Sequence, residues 1–380
     1  MDPKAILQRW TILFALVYLF ASAISPLYAG VFLFLASILG AVSMYRYELK
    51  GKIWFRAFAT FYFVMFLLLP CSDNIFVSLR HFIVYLKYWL IFLLPVYFVT
   101  ASRRRDIIPV MSGVLLAVQG LIAAQLLGHP VLPVLQMAGA AEKMIFAGQF
   151  VTVFPFLLVG ISQEKNRLLL ASYWCNLMMG VLLLQYCGCR ASLAVLLALT
   201  VMFLLVFVRK QAAVFSAQPA ALLLGLTVMA LLIVPAAKGA DMERYYQYLV
   251  EQYRGEQVWQ FLGQYWLTGV GLGGVSDYAD NLDQAMGNFI SSYVNIAAET
   301  GVSGLVSFAA MFGLLLHGQY RQCGKTEDIS WYVVAVLMIA GFLLQSAVFH
   351  YFAIPGVMHW FFLLLGMCYI SSAGARESET

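Results

Sequence analysis

A chain of 380 residues that is 63% hydrophobic and only 11% charged holds less than half the charge of an ordinary soluble domain, where about 25% of residues are charged. With a mean hydropathy of +0.85, it cannot be such a domain. A formal charge of +5 says little until it is sorted by side of a membrane. What remains is an all-α polytopic membrane protein, one membrane domain over residues 1–380, with no nucleic-acid partner expected.

A span needs about 20 apolar residues, fewer where its ends are anchored. The sequence supplies twelve such runs: Trp10–Ile24, Pro26–Met44, Ala57–Leu69, Phe82–Val99, Ile107–Leu127, Met144–Ile161, Leu168–Tyr186, Ala191–Val208, Ala220–Ala236, Val302–Leu316, Trp331–Phe349 and Val357–Ile370. The first follows Lys4 and Arg9 like a signal peptide, but Ser25-Pro26 leads straight into the second run, so it reads as an uncleaved span. Ala57–Leu69 and Val302–Leu316 are short, as tilted, longer or re-entrant segments would be. Short cytoplasmic loops carry the excess of Lys and Arg. Counting alternate connections puts sixteen of the 23 on one side and six on the other, with Lys87 inside a span. The termini are therefore expected in the cytoplasm and the long polar stretch outside.

That stretch, Lys238 to Gly301, is the longest segment a bilayer would reject. Asp241 to Trp259 has no Pro and one Gly, and Tyr245, Tyr248 and Trp259 recur at roughly helical spacing. It reads as an amphipathic helix at the membrane surface. Gly269-Val270-Gly271-Leu272-Gly273-Gly274 then forms a flexible turn. Its G-x-G-x-G-G letters follow no strand and open no long helix, so a nucleotide loop is excluded by context. Close passage of backbone against a ligand or another helix is the expectation for Gly271 and Gly273.

Candidates for chemistry lie on the outer side. Arg190, at a mouth between two spans, and Arg80 are either anion-binding or interfacial side chains reaching toward headgroups. Arg244 and Arg254 lie on the amphipathic helix, about 15 Å apart along its axis. Acidic residues outnumber basic ones in this loop, so an anion would be held by particular guanidinium groups, which suit a phosphate or pyrophosphate. Asp277, Asp280, Asp283, Glu299, His350 and His359 are the candidate acids and bases. The six cysteines lack the spacing of a zinc site and read as small apolar residues.

Four features in order, Gly188-Cys189-Arg190-Ala191, Arg254 with Trp259, Leu267-Thr268-Gly269-Val270-Gly271-Leu272-Gly273, and Tyr293 with Ala298-Glu299-Thr300-Gly301-Val302-Ser303-Gly304-Leu305, resemble the O-antigen polymerase and ligase family. The resemblance covers about 185 to 310. It implies a C-type glycosyltransferase fold joining glycans at the outer face of the bacterial inner membrane. The donor would be an undecaprenyl-pyrophosphate-linked glycan, with no nucleotide sugar, cofactor or metal, and with membrane lipids and a chain-length partner protein as neighbours. Carried over, Arg190 and Arg254 would hold the donor pyrophosphate; Arg244 with Gly255 matches an arginine-x10-glycine pattern described for polymerases. Tyr293, in the matched segment, is a candidate substrate contact, and Tyr245, Tyr248 and Trp259 either stack on sugar faces or pack onto the membrane or a lid. Ligases of the family carry His-Asn before the Tyr, where Ile290 and Ser291 stand here. That departure favours a polymerase over a ligase and leaves the base open among Asp277, Glu299 and His350. A lipid-linked glycan transporter is the rival of another class.

Overall fold

The computed structural model describes residues 53–98, 104–126, 140–210, 256–275, 291–323 and 330–369, together with Trp10, Leu13, Phe14, Val17 and Gln247. Among these the protein is all-helical: α1 Ile53–Leu68, α2 Ile75–Phe98, α3 Arg104–Leu126, α4 Ala140–Gln163, α5 Arg167–Tyr186, α6 Arg190–Lys210, α7 Glu256–Gln264, α8 Ser292–Cys323, α9 Ser330–Ser346 and α10 Pro355–Cys368. Five helical segments, Ile53–Cys71, Ile75–Val96, Lys143–Gln163, Arg167–Tyr186 and Ser292–Arg321, are long and apolar enough to cross a membrane. Four shorter apolar helices stand among them. The expected spans Pro26–Met44 and Ala220–Ala236, and most of Trp10–Ile24, lie outside the described residues.

Helix limits follow local chemistry. Asn74 accepts the Val77 N–H at 3.3 Å, an N-cap that lets α2 begin seven residues before the expected Phe82. Asn166 does the same for α5 through Leu168, at 3.0 Å. Pro355 opens α10, where its missing N–H costs nothing. Both short runs are longer as helices: α1 starts at Ile53 and α8 at Ser292.

Helix α4 sits at the centre, against α5, α6, α9 and α10. Helix α10 is buried along its whole length, from Val357 to Tyr369. It reaches α2 closely because Gly366 has no side chain to meet the Phe92 carbonyl and the Pro95 ring. Around that contact the rings of Phe58, Phe92, Tyr88 and Phe362 interlock, with centroids 4.8 Å apart for Phe58–Phe92 and 5.7 Å for Tyr88–Phe362. The outward faces are apolar as well: Phe63 and Phe66 on α1, Phe76 and Ile83 on α2, Leu205 on α6 and Val306 on α8 are all exposed. A rim of this kind is solvated by lipid, not water.

Polar bonds gather at one end of the bundle. Gln345 on α9 donates to Ser192 on α6 at 3.0 Å, and Gln149 on α4 to the Gly356 carbonyl at 3.0 Å. Ser291 donates to the Ser346 carbonyl at 3.2 Å, and Ser78 on α2 to the Leu272 carbonyl at 3.0 Å. The starts of α2, α4, α6, α8 and α10 and the finish of α9 therefore meet there. At the opposite end the Tyr369 hydroxyl donates to the Leu315 carbonyl at 2.6 Å.

Candidate functional site

At the polar end, α8 is broken. Gly301 has φ 64 and ψ −166, which interrupts the helical ladder and takes the Ala298 and Glu299 carbonyls away from their usual partners four residues on. The glycine loop replaces those partners. Val270 N–H donates to the Ala298 carbonyl at 3.0 Å, Gly271 N–H to the Glu299 carbonyl at 2.8 Å, and Val302 N–H to the Trp266 carbonyl at 2.7 Å. Ser303 Oγ adds a bond to the Leu267 carbonyl at 2.9 Å. Backbone has to lie on backbone for this, and glycine permits it: a Cβ on Gly269 would overlap Glu299 and Thr300, and one on Gly301 would overlap Leu267. Gly269, Gly271, Gly273 and Gly301 all have positive φ, the region glycine enters without strain.

The other side of the loop rests on α2. Gly271 lies on Ser72 and Ser78, whose hydroxyls are 2.6 Å apart, and Gly273 lies on the His81 ring. His81 Nδ1 donates to the Val77 carbonyl at 3.0 Å, which fixes the orientation of the ring. Beneath the loop, Val270, Val275, Val294 and Ala298 pack with Val258, Phe261, Leu262 and Tyr265. The turn expected at Gly269 to Gly274 is thus a clamped element, and the close passage expected there is against another helix.

Glu299 is 4% exposed. Its carboxylate lies beside the Gly273 N–H and the Asn295 side chain, one helical turn back, and within electrostatic reach of Tyr85. Asn295 is fully buried, and although its amide approaches the Glu299 carboxylate, neither amide atom completes a hydrogen bond of good geometry. The Tyr88 hydroxyl, on the same face of α2 as Tyr85, is likewise buried without one.

The remaining sequence candidates separate from this centre. Arg80 is exposed on α2 between Phe76 and Ile83 at helical spacing, the position of a side chain reaching from lipid toward headgroups. Arg190 opens α6 on the stripe shared by the exposed Leu197, Val201 and Leu205. Trp259 is exposed on α7. The Tyr293 hydroxyl is committed to the Leu343 carbonyl at 2.6 Å, which ties α8 to α9 and makes it an anchor. His350 follows α9, and its Nδ1 is buried without a partner. Burial pushes its imidazole down to about 4, a weak proton acceptor at neutral pH. His359 is buried in α10, its ring 5.7 Å from Tyr88. Cys187 and Cys189 flank Gly188 as buried free thiols, and burial pushes Cys189 up to about 12. Arg244, Arg254, Tyr245, Tyr248, Asp277, Asp280 and Asp283 lie outside the described residues.

Sequence reasoning missed Ser72, Ser78, His81, Tyr85, Tyr88 and Asn295. All belong to runs that read as plain span or plain loop. Only the glycines marked the place, and they could not say which helix they touch.

The broken helix, the loop that fills the break and the buried carboxylate beside it define an all-helical membrane protein with its polar centre at one end. No family model matches the chain, and no curated protein matches it.

Proposed function

We propose that this chain polymerises lipid-linked glycans, joining undecaprenyl-pyrophosphate-linked repeat units at the outer face of the bacterial inner membrane. One observation carries the reading: two of the four segments on which the family resemblance rests, Leu267 to Gly273 and Ala298 to Gly304, fold into one hydrogen-bonded unit around the buried Glu299. Nothing in their separation along the chain required them to meet.

In this reading an acceptor sugar hydroxyl attacks the anomeric carbon of the donor. The new glycosidic C–O bond forms as the bond to pyrophosphate breaks, and the pyrophosphate leaves with the bonding electron pair. The hydroxyl proton passes to Glu299, the buried carboxylate beside the clamped loop. Arg190 serves the donor from the rim. A prenyl tail lies in lipid and its pyrophosphate at headgroup level, so a guanidinium on a lipid-facing stripe at the polar end suits that group. Preorganised positive charge there stabilises the charge that develops on the leaving group. Ligase chemistry, with a different acceptor, uses the same parts.

A second reading draws on the break itself. Discontinuous helices beside an intramembrane acid are also how transporters build ion and substrate sites. Purified protein in liposomes, supplied with undecaprenyl-pyrophosphate-linked repeat units, separates the two. A ladder of glycan lengths on a gel, lost in Arg190→Ala and kept in Arg80→Ala, supports the polymerase. Movement of the lipid-linked glycan between leaflets without any ladder overturns it in favour of transport.

A further inference from the structure

Among the described residues, Asn295 and Gln119 are the two buried amides with neither side-chain atom in a well-formed hydrogen bond, and Asn295 is the one beside a buried carboxylate. Asn295 is fully buried on the first segment of α8, at the bundle's polar end. A buried amide offers two donor hydrogens and two acceptor lone pairs, and leaving them unmet opposes folding. Here neither amide atom completes a well-formed hydrogen bond, although Glu299 is one turn away and its carboxylate lies beside the amide. Nearby, the Tyr88 hydroxyl is orphaned too, its ring 6.0 Å from that of Tyr85, the residue that feels the Glu299 charge. The Asn295 amide and the Gly273 N–H both approach the Glu299 carboxylate as donors, yet the amide completes no well-formed hydrogen bond, so this group of polar atoms keeps capacity to bond something else.

We propose that Asn295 and Glu299, with the Gly273 N–H beside them, form a seat for two neighbouring hydroxyls of a carbohydrate. The chemistry selects that ligand class. An amide both donates to and accepts from one hydroxyl, and a carboxylate accepts from the next, so a side-by-side Asn and Glu read a vicinal diol. A cation would leave the amide N–H groups unmet, and an anion would be repelled by the carboxylate. The seat deepens the polymerase reading, on which it rests for its place in a reaction: it holds the acceptor sugar, next to the group that takes its proton. Glu299 touches the reacting hydroxyl in that scheme, whereas Asn295 orients it and sets which diols fit.

The test is Asn295→Leu, which keeps the number and branching of side-chain heavy atoms and removes the amide's polarity. A cooperative thermal transition of the sugar-free variant in nanodiscs establishes first that it folds. The readout is stabilisation of the thermal midpoint by a defined mixture of free di- to pentasaccharides of hexoses and N-acetylhexosamines. The wild-type protein is expected to shift upward, and Asn295→Leu to need about tenfold more sugar or to show no shift. Asn295→Gln, which keeps the amide on a longer stem, restores part of the response. If sugar shifts both proteins equally, or shifts neither, the seat is overturned and the amide holds buried water or nothing. A wild-type protein that forms no polymer yet is stabilised by sugar through Asn295 refutes the polymerase and leaves the seat standing. A protein that forms polymer equally well with Leu at this position does the reverse.

Discussion

Helices α2, α3 and α4 each carry a proline in their interior, at Pro95, Pro109 and Pro155, and each continues as one helix. Helix α8 has no proline and is the one of these that breaks. A proline removes one N–H from the ladder, but inside a packed bundle the helix on both sides is held by its neighbours. At Gly301 the cause is different. Another piece of backbone offers better partners for the freed carbonyls than the helix itself does, and the chain bends to take them. Breaks of this kind are made by the segment that fills them.

Substituting the glycines that allow the filling tests this most severely. Gly301→Val, or Gly269→Ala, puts a Cβ onto backbone atoms at a positive φ. Strain alone costs about 1–2 kcal/mol, and the overlap adds to it. Loss of folded protein by size-exclusion chromatography is expected, and a normal profile for both would mean the loop does not hold the break. Next comes Ser78→Ala, which removes the bond to the Leu272 carbonyl. A drop of about 1–3 kcal/mol in unfolding free energy in detergent is expected, and an unchanged value would place the clamp on α8 alone.

A pH series addresses the other polar turn at this end. The His350 imidazole is held at about 4 in the folded protein against about 6.5 in an unfolded chain. The unfolded state therefore binds the extra proton first. Stability is full above about 6.5 and falls as pH drops toward about 4. His350→Gln should flatten the thermal midpoint across that window; an identical slope in both proteins would show that other groups govern it. The smallest effect belongs to Gly313→Ala, in the unbroken part of α8, where a Cβ meets nothing within 4 Å. A gain of at most about 1 kcal/mol is expected, and a large loss there would mean that glycine sensitivity is general along α8 and not a mark of the break.

The apolar segments were legible because length and hydropathy are properties of single stretches. Each of the nine expected spans that falls among described residues lies on a helix. Their limits were less legible. Ser78, Arg80 and His81 look like loop before Phe82, yet the first and last of them are satisfied inside or against α2. Gly301 looks like the finish of the outer stretch, yet helix lies on both sides of it. The meeting of Gly271 with Glu299 is made by main-chain atoms, which every residue carries, so only the need for a missing side chain shows in the sequence. Asn295 left no trace, since a lone amide among Val294, Ile296 and Ala297 resembles any polar residue in a helix. Arg80 was legible as a charge at a boundary, but which face it occupies depends on the neighbours of α2.

The burial of α10 also bears on how the protein is assembled. At 14 residues and about 1.5 Å of rise each, it is roughly 21 Å long, short of the ~30 Å hydrocarbon layer. A helix that short would leave its terminal carbonyls and N–H groups in lipid if it entered alone. It is also reached only after α1 to α9 have been synthesised. Its slot must already be lined by α2, α4 and α9 when it arrives, so its insertion is a docking event between protein surfaces, and Gly366 is the notch that lets it seat against α2.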